Sequence, residues 1–230
     1  MTEAPRALIL ADGAAPTRAD LDAAWPGWDE GVAFIVAADG GARHAEPLGL
    51  RLDLWVGDGD SIDDATLADL ETSGVRLQRA QPDKDESDTE LALLEAIVGG
   101  ASAITILGAL GGVRIDHALA NVALLQHPGL GGRAVTLFDE RATRISLLEA
   151  AGKVTKRGFQ GGEGDLVSLL PVGEPATGVT TEGLRFRLAG EPLELGRSRG
   201  LSNVRTAPVA RISLASGRLL VIETPARFRP

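Results

Sequence analysis

The sequence predicts an α/β fold: a mostly parallel sheet domain in three layers, followed by a smaller all-β, sandwich-like domain. Two observations carry this. Short, near-continuous apolar runs alternate with helical patterns over the first 140 residues or so, as they do when strands are buried on both faces of a parallel sheet. After about Arg141 helical periodicity fades, glycines punctuate the chain, and short alternating segments take over.

Taken in order, the first strand is Ala7 to Ala11, the second Phe34 to Ala38, and the third Leu52 to Val56. Gly74 to Leu77 is a weaker fourth, Ile104 to Leu107 a fifth, and Ala134 to Phe138 a sixth. Between them, Asp64 to Leu70 reads as a helix, as does Ile115 to Leu125. Ser87 to Val98 is the clearest helix, with Leu91, Leu94, Ile97 and Val98 on one face. In the second part, Leu184 to Leu188, Ile212 to Leu214 and Leu219 to Ile222 read as strands. The boundary falls in 141–150 and is drawn here between a domain 1–143 and a domain 144–230.

The chain has 230 residues, of which 44% are hydrophobic, enough for a sizeable core. It contains no cysteine, which excludes disulfides, thiolate metal sites and cysteine nucleophiles. Lys and Arg total 23 against 32 Asp and Glu, a formal net charge of −9. That balance disfavours broad binding to nucleic acid or to an anionic membrane. Met1 to Pro5 lacks the basic start and apolar stretch of a signal peptide, and no apolar run reaches the roughly 20 residues of a membrane span. A soluble, cytoplasmic protein is expected.

Acidic residues gather where strands end. Asp39 follows the second strand and precedes Gly40 and Gly41; Asp58 and Asp60 follow the third; Asp83, Asp85 and Asp88 lie just before or at the start of the clearest helix. In an open α/β sheet, ligands bind beyond the carboxyl ends of the strands. Carboxylates brought together there repel one another unless a cation compensates them. Mg²⁺, a hard ion that takes carboxylate, phosphate and water oxygens, suits that role. Simpler roles exist for the same residues. Ser87 with Glu90, or Ser61 with Asp64, can cap a helix, and Asp-Gly pairs make turns.

Gly108 to His117 contains a Gly111-Gly112 pair followed by Arg114 and Asp116 at a helix start. Backbone N–H groups beside a helix N-terminus favour anions, and Arg114 can add a charge-assisted contact. The segment matches neither G-x-G-x-x-G nor G-x-x-x-x-G-K-[ST], so a Rossmann site and a P-loop are unsupported. Of the histidines, His44 and His127 read as surface or packing residues; only His117 lies in a candidate segment. Arg197 to Asn203 is a polar loop between β segments.

Taken together and in order, Ala38 to Ala42, Gly57 to Ser61, Asp83 to Glu90, Gly108 to His117 with Leu119 to Asn121, and Gly200 to Asn203 resemble the thiamine pyrophosphokinase family. Three positions depart from its pattern. Gly59 stands where phenylalanine is usual, Ser87 where threonine is usual, and Val113 separates the glycine pair from Arg114.

The resemblance implies a homodimer with sites at the subunit interface. An N-terminal domain would bind ATP and Mg²⁺, and a C-terminal β domain would complete the thiamine site. Pyrophosphate would pass from ATP to the thiamine hydroxyl, releasing AMP. Carried onto this chain, Asp58, Asp60, Asp83, Asp85 and Asp88 would form the metal cluster, with Asp58, Asp60 and Asp88 catalytic. Asp39, Gly40, Gly41, Lys84, Gly111, Gly112, Arg114 and Asp116 would contact substrate, and Ser202 and Asn203 would touch thiamine. Two other readings stay open. One is a Mg²⁺-dependent phosphatase of haloacid-dehalogenase type with Asp58 as nucleophile. The other is a non-catalytic nucleotide- or thiamine-binding regulator.

Overall fold

The computed structural model describes residues 5–112 and 114–228; Val113 lies outside the described residues. The chain divides into two units, Met1–Glu140 and Arg141–Pro230.

The first unit contains β1 (Arg6–Leu10), α1 (Arg18–Ala24), β2 (Val32–Ala38), β3 (Leu54–Gly57), α2 (Asp64–Thr72), β4 (Arg76–Arg79), α3 (Asp88–Val98), β5 (Ala103–Leu107), α4 (Ile115–Ala123) and β6 (Ala134–Phe138). Its six strands lie in the order β6-β5-β1-β2-β3-β4, and every pairing is parallel. The apolar runs are apolar because both faces are covered: Ala7, Leu8, Ile9 and Leu10 are all fully buried.

The chain runs outward from β1 to β4, then returns to β5 on the other side of β1. That reversal opens a crevice at the carboxyl ends of β1 and β5. The two backbones cross closely there, with Gly13 N donating to the Gly108 carbonyl at 2.8 Å. A Cβ on Gly13 would stand 2.4 Å from that oxygen, and one on Gly108 would stand 2.3 Å from the Ala11 carbonyl oxygen. Only residues without side chains fit this crossing.

The helices depart from expectation in three ways. First, α3 buries Thr89, Ala92, Leu93 and Ala96, whereas Val98 is 83% exposed. Its segment is apolar on more than one side, and the stripe rich in small residues is the one that packs on the sheet. Second, α1 has no counterpart in the sequence reading. It is seven residues long, buries only Leu21, and is started by Thr17, whose hydroxyl accepts from Asp20 N. Third, α2 is capped by Asp63, which accepts from Thr66 N at 2.9 Å, and not by Ser61. Ser87 does cap α3, accepting from Glu90 N.

The second unit holds β7 (Arg144–Ala150), β8 (Thr155–Gln160), β9 (Leu166–Pro171), β10 (Ala176–Glu182), β11 (Ala189–Leu193), β12 (Asn203–Val204), β13 (Val209–Leu214) and β14 (Gly217–Thr224). Antiparallel pairing gives two four-strand arrays, β12-β9-β14-β7 and β11-β10-β13-β8. Alternate residues of both, among them Phe159, Val167, Val179, Ile212 and Val221, share one core. Leu184 to Leu188 is not a strand: Leu184 makes a single bridge to Arg205, and the chain turns before β11.

This unit also buries charge. The Glu223 carboxylate, fully buried, receives Arg144 Nε at 2.6 Å and a second guanidinium from Arg205, which is 1% exposed. The pairing is what makes burial of these charges tolerable.

Candidate active site

The register of the parallel strands brings the acidic segments together. Ala38 pairs with Val56, and Gly57 with Arg79, so Asp39 and the Asp58 loop leave the sheet at the same edge.

Asp39 is the anchor. It has a left-handed backbone, φ 43°, and is 3% exposed. Its carbonyl accepts from Trp55 Nε1 at 3.0 Å, and its Oδ2 accepts from Ser61 N at 3.0 Å. A Cβ on Gly57 would fall 2.9 Å from the Asp39 Cβ, so the bare strand end is what admits this side chain. The other oxygen, Oδ1, has no hydrogen-bond partner among the described residues.

Around it, one carboxylate oxygen each from Asp39, Asp58 and Asp60 lie within 4.8 Å of one another. Asp60 N donates to Asp58 Oδ1 at 3.2 Å, and Ser61 Oγ donates to Asp60 Oδ1 at 2.8 Å. Lys84 Nζ bridges the next pair, 3.3 Å from Asp58 Oδ2 and 3.1 Å from Asp88 Oδ1.

The electrostatics follow from that geometry. Burial raises the Asp39 pKa, and contact with Asp60 raises it further. The hydrogen bond from Ser61, then the contact with Asp39, lower that of Asp60. Burial raises Asp88, with Lys84 opposing. Burial alone would lower Lys84, but Asp88 and Asp58 outweigh it and the amine is held protonated. Several carboxylates against one ammonium, with a buried oxygen left unpartnered, fit a hard divalent cation.

The five aspartates do not all meet. Exposure alternates along the loop before α3: Lys84 is turned inward, while Asp83 and Asp85 are exposed and lie outside the three-carboxylate cluster. Of the expected metal set, Asp58 and Asp60 therefore stand together with Asp39, and Asp83 and Asp85 stand apart from that cluster. Asp88 joins through Lys84, which holds two carboxylates together.

Gly40 and Gly41 are buried, pressed against Asp12 and the end of β1. Arg43 pairs with Asp12, and His44 Nε2 lies 2.8 Å from the Gly13 carbonyl oxygen, so this turn secures the β1 end. Gly111 and Gly112 are exposed, with φ of 82° and 78°. Arg114 and Asp116 form an exposed ion pair at 2.6 Å, which holds the Asp116 carboxyl far below the usual range. Asn121 Nδ2 donates to the Ala109 carbonyl at 2.8 Å and is buried. His117 is exposed; His127 accepts from Gly129 N and lies 3.4 Å from Glu90.

In the second unit Ser202 is exposed with φ 54°, its N–H donating to Ser168 Oγ. Asn203 is 7% exposed and its amide is occupied: Oδ1 accepts from Phe186 N, and Nδ2 donates to the Phe186 carbonyl. It clamps the chain that carries the exposed Phe186 ring.

The sequence reading grouped Asp39 with the strand-end carboxylates but gave it a substrate contact and no place in the metal set, and it missed Ser61, whose N–H binds Asp39 and whose hydroxyl binds Asp60. The signal for both was present: an aspartate at a strand end and a hydroxyl next to Asp60.

Two family models match the chain. Residues 28–135 match the thiamin pyrophosphokinase catalytic domain, and residues 153–219 match the thiamin pyrophosphokinase vitamin B1 binding domain. The chain is 27% identical over 208 residues to thiamine pyrophosphokinase of Bacillus subtilis, covering 87% of this chain and 86% of that one. It is 27% identical over 216 residues to thiamine pyrophosphokinase 1 of Oryza sativa, covering 85% and 80%. The crystal structure of the Bacillus subtilis thiamine pyrophosphokinase shares the fold with a TM-score of 0.81 at 23% identity, over 96% of this chain and 99% of that chain. A thiamin pyrophosphokinase family protein from Enterococcus faecalis aligns with a TM-score of 0.77 at 26% identity, over 95% and 98%. With the two models together spanning well over half of its residues, in the order in which its two units occur, the chain belongs to the thiamine pyrophosphokinase family.

Proposed function

We propose that this enzyme transfers the pyrophosphoryl group of ATP to the hydroxyl of thiamine, giving thiamine diphosphate and AMP. The observation that carries the reading is the cluster of Asp39, Asp58 and Asp60 at one sheet edge, tied to Asp88 through Lys84. The phosphatase alternative finds no support in the families matched.

Asp58 and Asp60 would hold Mg²⁺, with Asp88 beside them. When bound, the ion supplies positive charge against the triphosphate and the leaving AMP. Ser61 orients Asp60 through its hydroxyl. The thiamine oxygen attacks the β-phosphorus, the bond to the α,β-bridging oxygen breaks, and the hydroxyl proton passes to a carboxylate. Asp60 and Asp88 are the candidates for that carboxylate, and Asp88 is the better base: burial makes it more basic, whereas Asp60 is held less basic by Ser61. The rest is positioning and electrostatic stabilisation. Thiamine is cationic, so an acidic mouth suits it too.

The unit Met1–Glu140 would carry nucleotide and ion, and the unit Arg141–Pro230 the thiamine-binding and dimer-forming surfaces. A second copy of the chain belongs to the same reading, and the first unit would add to its contact: α4 leaves Ile115 72% and Leu119 64% exposed, an apolar stripe that a partner subunit would cover as well. So does residence in the cytoplasm, where ATP is available.

The test is AMP formation from ATP. AMP release that requires both thiamine and Mg²⁺ is expected; release of AMP or phosphate at the same rate without thiamine would overturn the assignment.

A further inference from the structure

We propose that Arg79 binds the phosphates of the nucleotide, in a place that Gly59 keeps open. This rests on reading the carboxylate cluster as an ATP site, and adds a cation to it that no family motif contributes.

Arg79 is the last residue of β4, exposed, and paired in register with Gly57. Its Nη1 lies 3.4 Å from where a Cβ on Gly59 would stand, so the guanidinium rests against the backbone between Asp58 and Asp60. Two aspartates flank that backbone, yet Arg79 makes no ion pair among the described residues. Lys84, the other cation nearby, is already committed to Asp58 and Asp88. A guanidinium beside carboxylates that leave it unpaired is free to meet an anion brought in from solution. Its fork of donors suits phosphate oxygens.

Gly59 is what makes the arrangement possible. Its φ of 87° is one that side-chain-bearing residues rarely adopt, and the space a side chain would enter is bounded by Arg79, Leu67 and Trp55. A large residue at 59 would occupy the place of the guanidinium. The glycine and the arginine therefore form one device: a missing side chain on one strand end and a cation filling its space from the next.

The ligand chemistry is fixed by charge. Thiamine is a cation and gains nothing from Arg79. A nucleoside triphosphate carries the anionic groups that the carboxylates repel and the guanidinium attracts.

Titration calorimetry with ATP and Mg²⁺, without thiamine, tests this. Arg79→Gln, with Arg79→Met as a second variant, should weaken ATP binding about tenfold. Arg79→Lys should restore most of that loss. AMP, with fewer charges, should lose markedly less than ATP, which a purely structural role would not produce. The KM for thiamine should stay at the wild-type value. Gly59→Ala should weaken ATP binding in the same direction, and less so once Arg79 is already Gln, as expected for contacting residues. Wild-type ATP affinity in folded Arg79→Gln and Arg79→Met would overturn the inference alone, as would equal losses for ATP and AMP. Absence of ATP binding by the wild-type enzyme would overturn the underlying reading with it.

Discussion

Trp55 Nε1 donates a hydrogen bond to the Asp39 carbonyl oxygen, 3.0 Å away, and both residues are buried. The bond fixes an aspartate whose backbone lies in the left-handed region, an arrangement that costs on the order of 1 kcal/mol or more for a residue with a side chain. The strained residue is the one whose carboxylate completes the acidic cluster.

Trp55→Phe keeps the ring against the sheet but removes the donor. It should cost about 1–3 kcal/mol, because a buried acceptor loses its partner. Urea unfolding followed by far-UV circular dichroism reads this, and Mn²⁺ titration should show weaker binding as Asp39 loses its anchor. Unchanged unfolding midpoint and Mn²⁺ affinity would show that the bond is dispensable.

Asp60→Asn retains an oxygen for the Ser61 hydroxyl but removes the charge. The kcat for thiamine-dependent AMP release should fall more than about tenfold, in line with the loss of a group that stabilises charge in the transition state. The melting temperature should hold. Near wild-type turnover would remove Asp60 from the mechanism.

Glu223→Ala leaves Arg144 and Arg205 without their shared counter-charge inside the β unit. Breaking a buried pair by removing one partner costs about 3–5 kcal/mol. Replacing Glu223 by Leu and Arg205 by Met together should cost less than Glu223→Ala alone. Thermal unfolding of the full chain would contradict the pairing argument if the single variant were the more stable.

His44 sets a pH dependence. Burial, and the charge of Arg43, lower its pKa below the ordinary 6.5, against the opposing contact with the Gly13 carbonyl. The unfolded chain therefore binds a proton in a range where the folded chain does not. The stabilising difference is complete above pH 6.5 and is lost as pH falls through the window between 6.5 and the depressed folded value. Wild-type melting temperature should drop more steeply than that of His44→Gln over this window. Parallel curves would exclude His44 as the cause.

Local signals carried much of the fold. Five of the six parallel strands were legible because burial leaves a near-continuous apolar run; β4, with the sequence RLQR and exposed ends, gave only a weak signal, two residues early. Ser87 was legible as a cap because its partner, Glu90, is three residues away. What could not be read was set by packing partners distant in the chain. Both faces of α3 look apolar, and only the sheet decides that Ala92 and Ala96 turn inward. Leu184 to Leu188 alternates like a strand, but β10 already has β11 and β13 as neighbours. In the site, Asp58 and Asp60 were visible as a pair. Asp39 was visible as a strand-end carboxylate and a substrate contact, but its place beside Asp58 and Asp60 depends on Gly57 and Trp55 much later in the chain. Asp83 and Asp85 sat in the matching segment, yet the zigzag of the loop turns Lys84 inward in their stead.

The glycines at 13, 41, 57 and 108 are each held within a side chain's width of a neighbouring residue. Alanine at any of them would abolish turnover by prying strands or the Asp39 turn apart. A saturation scan of this enzyme would therefore score these positions as intolerant alongside the aspartates. Mutational sensitivity alone would redraw the ligand footprint too large, and separating scaffold from chemistry requires thermal stability to be recorded for every variant.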